Sequence, residues 1–294
     1  MTMDPATVRR VVAQDARAWG QLGVAWGVKS PPEAVSAAVE VVAPEPARPR
    51  SEPPPQSHVR SKPMEDQPMP KPSTQAEAKP ARRGSKSSGR PSGSPREVAE
   101  QLLAEILEDY TQAAPHAATG TPHSTIVFGE GDPCARIMFV GEAPGADEDR
   151  LGRPFVGRAG QKLDQMITAM GLRREDVYIA NVLKVRPPNN ATPTIEEAQA
   201  SAPFLMRQIE AIKPEAIVAL GLPSARLLTG QVLSMRELRG RWWPMSTPAG
   251  GSFDVLPTYH PAYLLRNYTP ETRRKVWEDL KQVLERLDLP VPTR

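Results

Sequence analysis

The sequence predicts an α/β fold: a mostly parallel sheet covered by helices on both faces. Three observations predict it. Short apolar runs recur between residues 135 and 261, each closing on a glycine or a polar turn. Between them lie segments whose apolar residues repeat at helical spacing. And the composition changes near residue 96 from Pro- and Ser-rich to globular, leaving roughly 190 residues, enough for one well-buried core.

The elements follow in order. Residues 1–27 predict a short helix, with Val8, Val11, Val12, Trp19 and Leu22 at roughly helical spacing; a helix ahead of a long linker suits docking to a protein partner. Residues 28–95 carry stretches such as "PEPARPRSEPPPQS" and "KPARRGSKSSGRPSGSP". They hold too few large apolar side chains to offset the entropy of ordering, so a disordered linker is expected. Residues 96–294 form the predicted globular domain. A helix is expected over 96–112, then a buried parallel strand in "ARIMFVG", 135–141. Leu163, Met166, Ile167 and Met170 fall at i, i+3, i+4 and i+7, predicting a helix over 158–170 with one core face. "DVYIANV", 176–182, reads as a second strand. Ala198, Ala202, Leu205, Ile209 and Ile212 mark another helix, in which Pro203 predicts a kink or a nearby start. "EAIVALG", 215–221, is a third strand, with a short helix over 223–229. "FDVLPTYHP", 253–261, is a fourth strand running into a loop. Val276, Trp277, Leu280, Val283, Leu284 and Leu287 give a closing helix.

Charge divides at the same boundary: residues 1–96 carry a net +6 and residues 97–294 a net −3, against +3 overall. A basic arm attracts nucleic acid without reading its sequence. The single cysteine, Cys134, rules out an intrachain disulfide and a cysteine-rich metal site; no metal ligand set is expected. No apolar run approaches the roughly 20 residues that span a bilayer, and the first residues carry no signal-peptide pattern. A cytoplasmic monomer is the expectation.

In a parallel sheet the ligand lies beyond the carboxyl ends of the strands. Three polar clusters fall there: "GEAPG" after the first strand, Asn181 at the end of the second, and "HPAYLLR" after the fourth. Each has a plain structural explanation alone. Glu142 can cap a turn, Glu148 and Asp149 can form a solvated loop face, Phe155 can be core, and Asn181 and His260 can satisfy local backbone. Their convergence on one sheet edge argues for a site. An amide, an imidazole, a ring and a carboxylate suit a planar, polar, uncharged ligand such as a nucleobase. Phe155 offers a stacking face, and the Asn181 amide pairs with adjacent N–H and C=O groups, as on uracil. A phosphate cradle fits poorly, because "GEAPG" matches neither a Walker nor a GxGxxG pattern and its acids would repel phosphate. Metal-dependent hydrolysis fits poorly too, with only four His and one Cys to assist.

Together "VFGEGDPCARIMFVGEAPGADEDRLGRPFVGRAGQKLDQM", "YIANVLKVRPPNNATPT" and "YHPAYLLR" resemble the family-four uracil-DNA glycosylases, from about Val127 to the closing helix. The resemblance implies a three-layer α/β/α sandwich around a central four-stranded parallel sheet. It implies hydrolysis of the bond between uracil and deoxyribose in DNA, leaving an abasic site. By position, Glu142 looks like the acid at the reacting sugar, with Glu148 or Asp149 in support. His260 looks like the leaving-group stabiliser, Phe155 the stacking ring and Asn181 the base-edge reader, with Gly141 and Ala143 beside the base. Gly145 and Arg158 look like DNA contacts, and Pro261, Tyr263, Leu264, Leu265 and Arg266 like the loop that enters the duplex.

One departure stands out. Members of that family carry four cysteines around a four-iron four-sulfur cluster. Here "TQAAPHAATGTPHST" has none, Val185 stands at the third position and Ser201 at the fourth. Iron–sulfur clusters need thiolates, so no cluster and no cofactor is expected. The inserted basic loop of the subgroup that forms covalent DNA adducts is missing from "NVLKVRPPNNATPT". Two other readings stay open at this point: a non-catalytic DNA-binding relative, and a glycosylase for other deaminated bases.

Overall fold

The computed structural model describes residues 93–118, 123 and 125–293. The helix expected over 1–27 and nearly all of the linker expected over 28–95 lie outside them. Helix α1, Pro95–Ala113, starts where the composition changes. The Ser94 hydroxyl accepts from the Glu97 N–H while the Glu97 carboxylate accepts from the Ser94 N–H, satisfying two end groups of the helix reciprocally. A single turn, α2 (Pro115–Ala118), follows.

Six strands form one sheet: β1 (Glu130–Gly131), β2 (Ile137–Gly141), β3 (Tyr178–Asn181), β4 (Ala216–Leu220), β5 (Trp243–Ser246) and β6 (Ser252–Thr258), in the order β1-β3-β2-β4-β6-β5. The four central strands are parallel and are the four expected; β1 and β5 add antiparallel edges that the sequence reading missed. β5 hid because Pro244 interrupts it, and an edge strand tolerates a residue that cannot donate to the ladder. Pro257 in β6 is tolerated likewise, since β5 pairs with β6 only as far as Val255.

Helices cover both faces. On one lie α5 (Ile195–Ile212), α6 (Leu222–Thr229) and α7 (Met235–Leu238), packed on Met138, Val140, Ala180, Ile217 and Val255, with α1 outside α5 through Phe204. On the other lie α4 (Arg158–Ala169) and α9 (Pro270–Arg286), packed on Phe139, Ile179, Val218 and Leu256. The Leu163, Met166, Ile167, Met170 stripe is core. Pro203 neither starts nor ends a helix: α5 runs through it, capped at Thr194. No helix among the described residues is long and apolar enough to cross a membrane.

From β2 the chain goes to β3 on one side and later crosses to β4 on the other. The strand order therefore reverses at β2, and a crevice opens beyond its carboxyl end.

Candidate active site

That crevice is a cleft of about 660 Å³. Glu142 stands immediately beyond β2, and Asn181 ends β3 in register with Gly141. His260 follows β6 across from Gly221, whose N–H donates to the Thr258 carbonyl. Three segments distant in the chain thus bring Glu142, Asn181 and His260 to one cavity, whose wall also includes Ala143, Gly145, Glu148, Phe155, Arg158 and Arg266.

The floor is tightly built. A Cβ on Gly141 would lie 2.3 Å from Asn181 Oδ1 and 2.5 Å from the Phe155 ring, so only glycine lets β2 approach both. Gly141 does not line the cleft; it lets the lining residues close up. Asn181 is 1% exposed, and its Oδ1 has no hydrogen-bond partner. Leaving a buried acceptor unmet costs about 1–3 kcal/mol, a cost that a ligand N–H would remove. Behind it, buried Lys184 donates to the Asn181 carbonyl at 2.7 Å and to the Gln208 side chain; burial lowers the Lys184 amine to about 7.

Phe155 is 5% exposed and adopts φ +51°, a left-handed backbone that costs a bulky residue about 1–3 kcal/mol. The surroundings enforce it. Arg174 donates to the Phe155 carbonyl at 3.2 Å and the Pro154 carbonyl at 2.5 Å, while Glu130 and Asp164 hold its guanidinium, each at 2.7 Å. Gly160 leaves room: a Cβ there would fall 1.9 Å from the Phe155 carbonyl oxygen. The ring ends 5.7 Å from the His260 imidazole, tilted by 34°.

The acids separate by environment. Glu148 was expected to act on the substrate, yet its carboxylate accepts from three backbone N–H groups: Gly145 at 3.1 Å, Val156 at 2.8 Å and Gly157 at 2.9 Å. It ties the turn after β2 to the loop carrying Phe155, so its geometry is that of a clamp. Asp149 is buried and accepts from the Thr125 N–H at 3.0 Å. Asp147 is exposed beside Arg150, on the short helix α3 (Ala146–Leu151). Glu142 differs: it lines the cleft, and desolvation raises its carboxyl above the ordinary value, which makes it a better base near neutral pH.

His260 caps α8 (Pro261–Arg266), its Nδ1 accepting from the Ala262 N–H at 3.1 Å. That bond places the ring proton on Nε2. Burial, with the Arg266 charge adding and Glu148 opposing, depresses the imidazole to about 4. At neutral pH it is an uncharged donor. The rest of α8 corrects the sequence reading. Leu264, expected to enter a duplex, is 3% exposed and packs in the core beside α4 and α9; Pro261 is buried as well. Tyr263 stacks on Tyr259 at 4.8 Å. Leu265, 37% exposed, and Arg266 are presented outward, Leu265 being the apolar one.

An iron–sulfur cluster does not fit this chain. Val185 and Ser201 are buried, and fully buried Tyr110 packs edge-on to Phe204 at 4.9 Å in the same region. Cys134 is exposed, and the described residues contain no group of three or more His, Cys, Asp or Glu able to hold a metal ion.

The sequence reading overlooked Arg174, Lys184, the Asn190–Thr192 loop and Gly221–Pro223, of which the last two line the cleft. "PPNN" was a readable turn signal for the loop; nothing local distinguished Arg174.

Residues 128–281 match the family model described as the uracil DNA glycosylase superfamily. A type-4 uracil-DNA glycosylase of Thermotoga maritima is 46% identical over 184 residues, which are 62% of this chain and 93% of that protein. The type-4 enzyme of Archaeoglobus fulgidus is 43% identical over 171 residues, 57% of this chain and 84% of its own. A type-5 uracil-DNA glycosylase of Pyrobaculum aerophilum is 34% identical over 171 residues, 53% of this chain and 72% of its own.

Proposed function

The chain belongs to the uracil DNA glycosylase superfamily, and from that premise we propose that it hydrolyses the N-glycosidic bond of uracil in DNA, leaving an abasic site for repair. The observation that carries the reading is the unmet acceptor of Asn181 beside the Phe155 ring in the cleft. Uracil offers a flat face for the ring, N3–H for Oδ1 and O4 for the amide N–H. The O/N assignment of an amide follows the hydrogen-bond network, and this pairing is the one uracil completes.

The charges divide accordingly. As the bond breaks, uracil leaves as an anion and the sugar becomes cationic. His260 offers Nε2–H to uracil O2, a donor worth about 3 kcal/mol when pre-aimed. Glu142 faces the sugar, where a carboxylate at ~4 Å and an effective dielectric of about 20 contributes on the order of 4 kcal/mol before desolvation, and it orients the attacking water. Glu148 and Arg174 hold the stacking loop and touch no reacting atom. Extruding the base costs a few kcal/mol; Leu265 is the exposed apolar side chain that can fill the gap, with Arg158 and Arg266 at the phosphates. The enzyme works as a cytoplasmic monomer without a cofactor, since the residues at the cluster positions supply no thiolate.

The test is uracil-containing single- and double-stranded oligonucleotide incubated with purified protein, then alkali. Strand breaks at uracil are expected. Their absence sinks the assignment, and breaks only at hypoxanthine or xanthine would reassign the substrate. Absorbance near about 400 nm, from iron–thiolate charge transfer, would overturn the cofactor-free reading.

A further inference from the structure

We propose that Lys162, Tyr268 and Arg273 form a second DNA-contact station, gripping the backbone phosphates next to the extruded nucleotide; this rests on the glycosylase reading. The station adjoins the cleft through shared elements. Arg158 and Lys162 are four residues apart on α4, about 6 Å along the axis, and Arg266, two residues before Tyr268, ends α8. Arg158 and Arg266 line the cleft.

The cations of this face lack carboxylate partners among the described residues, as do a few cations elsewhere such as Arg186 and Lys213, whereas many other arginines are paired. Arg96, Arg136, Arg150, Arg153, Arg173 and Arg174 each meet a carboxylate. Among the described residues Arg158, Lys162, Arg266 and Arg273 form no ion pair, and the nearby acids are engaged elsewhere: Asp164 with Arg174, and Glu271 with Lys275. Tyr268 is 55% exposed, with the Lys162 Nζ 4.4 Å and the Arg273 guanidinium 5.0 Å from its ring centre. Two like charges held around one ring repel, and an exposed cation–π contact returns only about 0.5–1 kcal/mol each. A phosphate between them would settle that repulsion. The Arg273 contact to its hydroxyl, with the Lys162 charge adding, lowers the Tyr268 phenol, in keeping with a strongly positive locale. Below the cations lies a hollow of about 110 Å³, its wall shared by Met166, Leu264 and Val276: an apolar floor under a cationic rim, as a nucleotide's sugar and phosphate require. Basic side chains interleaved with an exposed aromatic are the pattern of strand-tracking surfaces.

The test measures binding of the full chain to a duplex with a stable abasic-site analogue, from 50 to 200 mM salt. Each phosphate contact contributes about 0.9 to the slope of log K against log salt. Lys162→Gln/Arg273→Gln is expected to lower the slope by about 1.8, leave the single-turnover excision rate at saturating enzyme within twofold of wild type, and leave the melting temperature unchanged. Tyr268→Ala should weaken binding several-fold and Tyr268→Phe should not. Lys213→Gln, ahead of β4 at the far end of the sheet, is the control expected to change nothing. An unchanged slope in the double variant overturns the station, as does weaker binding with no change of slope. Wild-type protein that binds but never releases uracil would sink the glycosylase reading alone, because the slopes do not depend on base excision.

Discussion

Glu148→Gln tests whether a buried carboxylate beside the reacting centre is chemistry or carpentry. The carboxylate takes three backbone N–H groups, two on one oxygen and one on the other. A Gln oxygen can keep Val156 and Gly157, but its NH2 then faces the Gly145 N–H, donor against donor. Hydrogen bonds to a charged group are worth about 1.5–3 kcal/mol each, and an unmet buried donor costs a further 1–3 kcal/mol. With partial relaxation the loss is about 2–4 kcal/mol, which for a domain of this size lowers the melting temperature by about 2–4 °C per kcal/mol. Excision should slow about tenfold as the Phe155 loop loosens, with the pH–rate profile keeping its shape. Glu142→Gln is the counterpart. Burial disfavours the charged form of Glu142, so a neutral amide should hold or raise the melting temperature. Single-turnover excision should meanwhile fall at least about a hundredfold, the span of a lost general base, and DNA binding should persist. Thermal melts with single-turnover kinetics on both variants decide. A Glu148→Gln protein that melts like wild type yet has lost excision and the acid limb of its profile refutes the clamp.

Asn181→Ala should lose discrimination of uracil from cytosine along with rate, read from competition between the two bases in one oligonucleotide. His260 carries a sign for stability: its folded value of about 4 lies below the ordinary 6.5, so the folded state binds fewer protons. Stability should fall as pH drops from about 6.5 toward 4, by about 3 kcal/mol in total, and melts of His260→Gln over that window should show a smaller loss. Removing residues 1–92, which spares the Ser94 cap, should weaken DNA binding mainly at low salt and leave the saturated excision rate unchanged; an unaltered salt slope would show that the basic arm contributes nothing.

Where periodicity or strand ends fix a position, the sequence was legible. The Leu163–Met170 stripe reports α4 because one face must be buried, and the meeting of Glu142, Asn181 and His260 at one cleft was legible because parallel strands deliver their last residues to one edge. What escaped depends on geometry across loops. Glu148 reads as one acid among four, and only the folded turn brings the N–H groups of 156 and 157 to it. Leu264 and Leu265 are adjacent in a six-residue helix, and which one points inward is a rotation no pattern that short specifies. Arg174 sits in an ordinary charged "RRED", and its carbonyl partners are 19 and 20 residues away. β5 was hidden by a proline that only an edge accepts.

The missing Cβ at residue 141 has a consequence for engineering. Because the strand, the Phe155 ring and the Asn181 amide share one point of contact, the proposed base selectivity and turnover are not separate dials. A substitution that shifts the ring to admit a bulkier base also displaces the amide that must recognise it. Redirecting the enzyme to another lesion would demand coordinated changes on at least three segments, and single-site libraries there should return mostly dead clones.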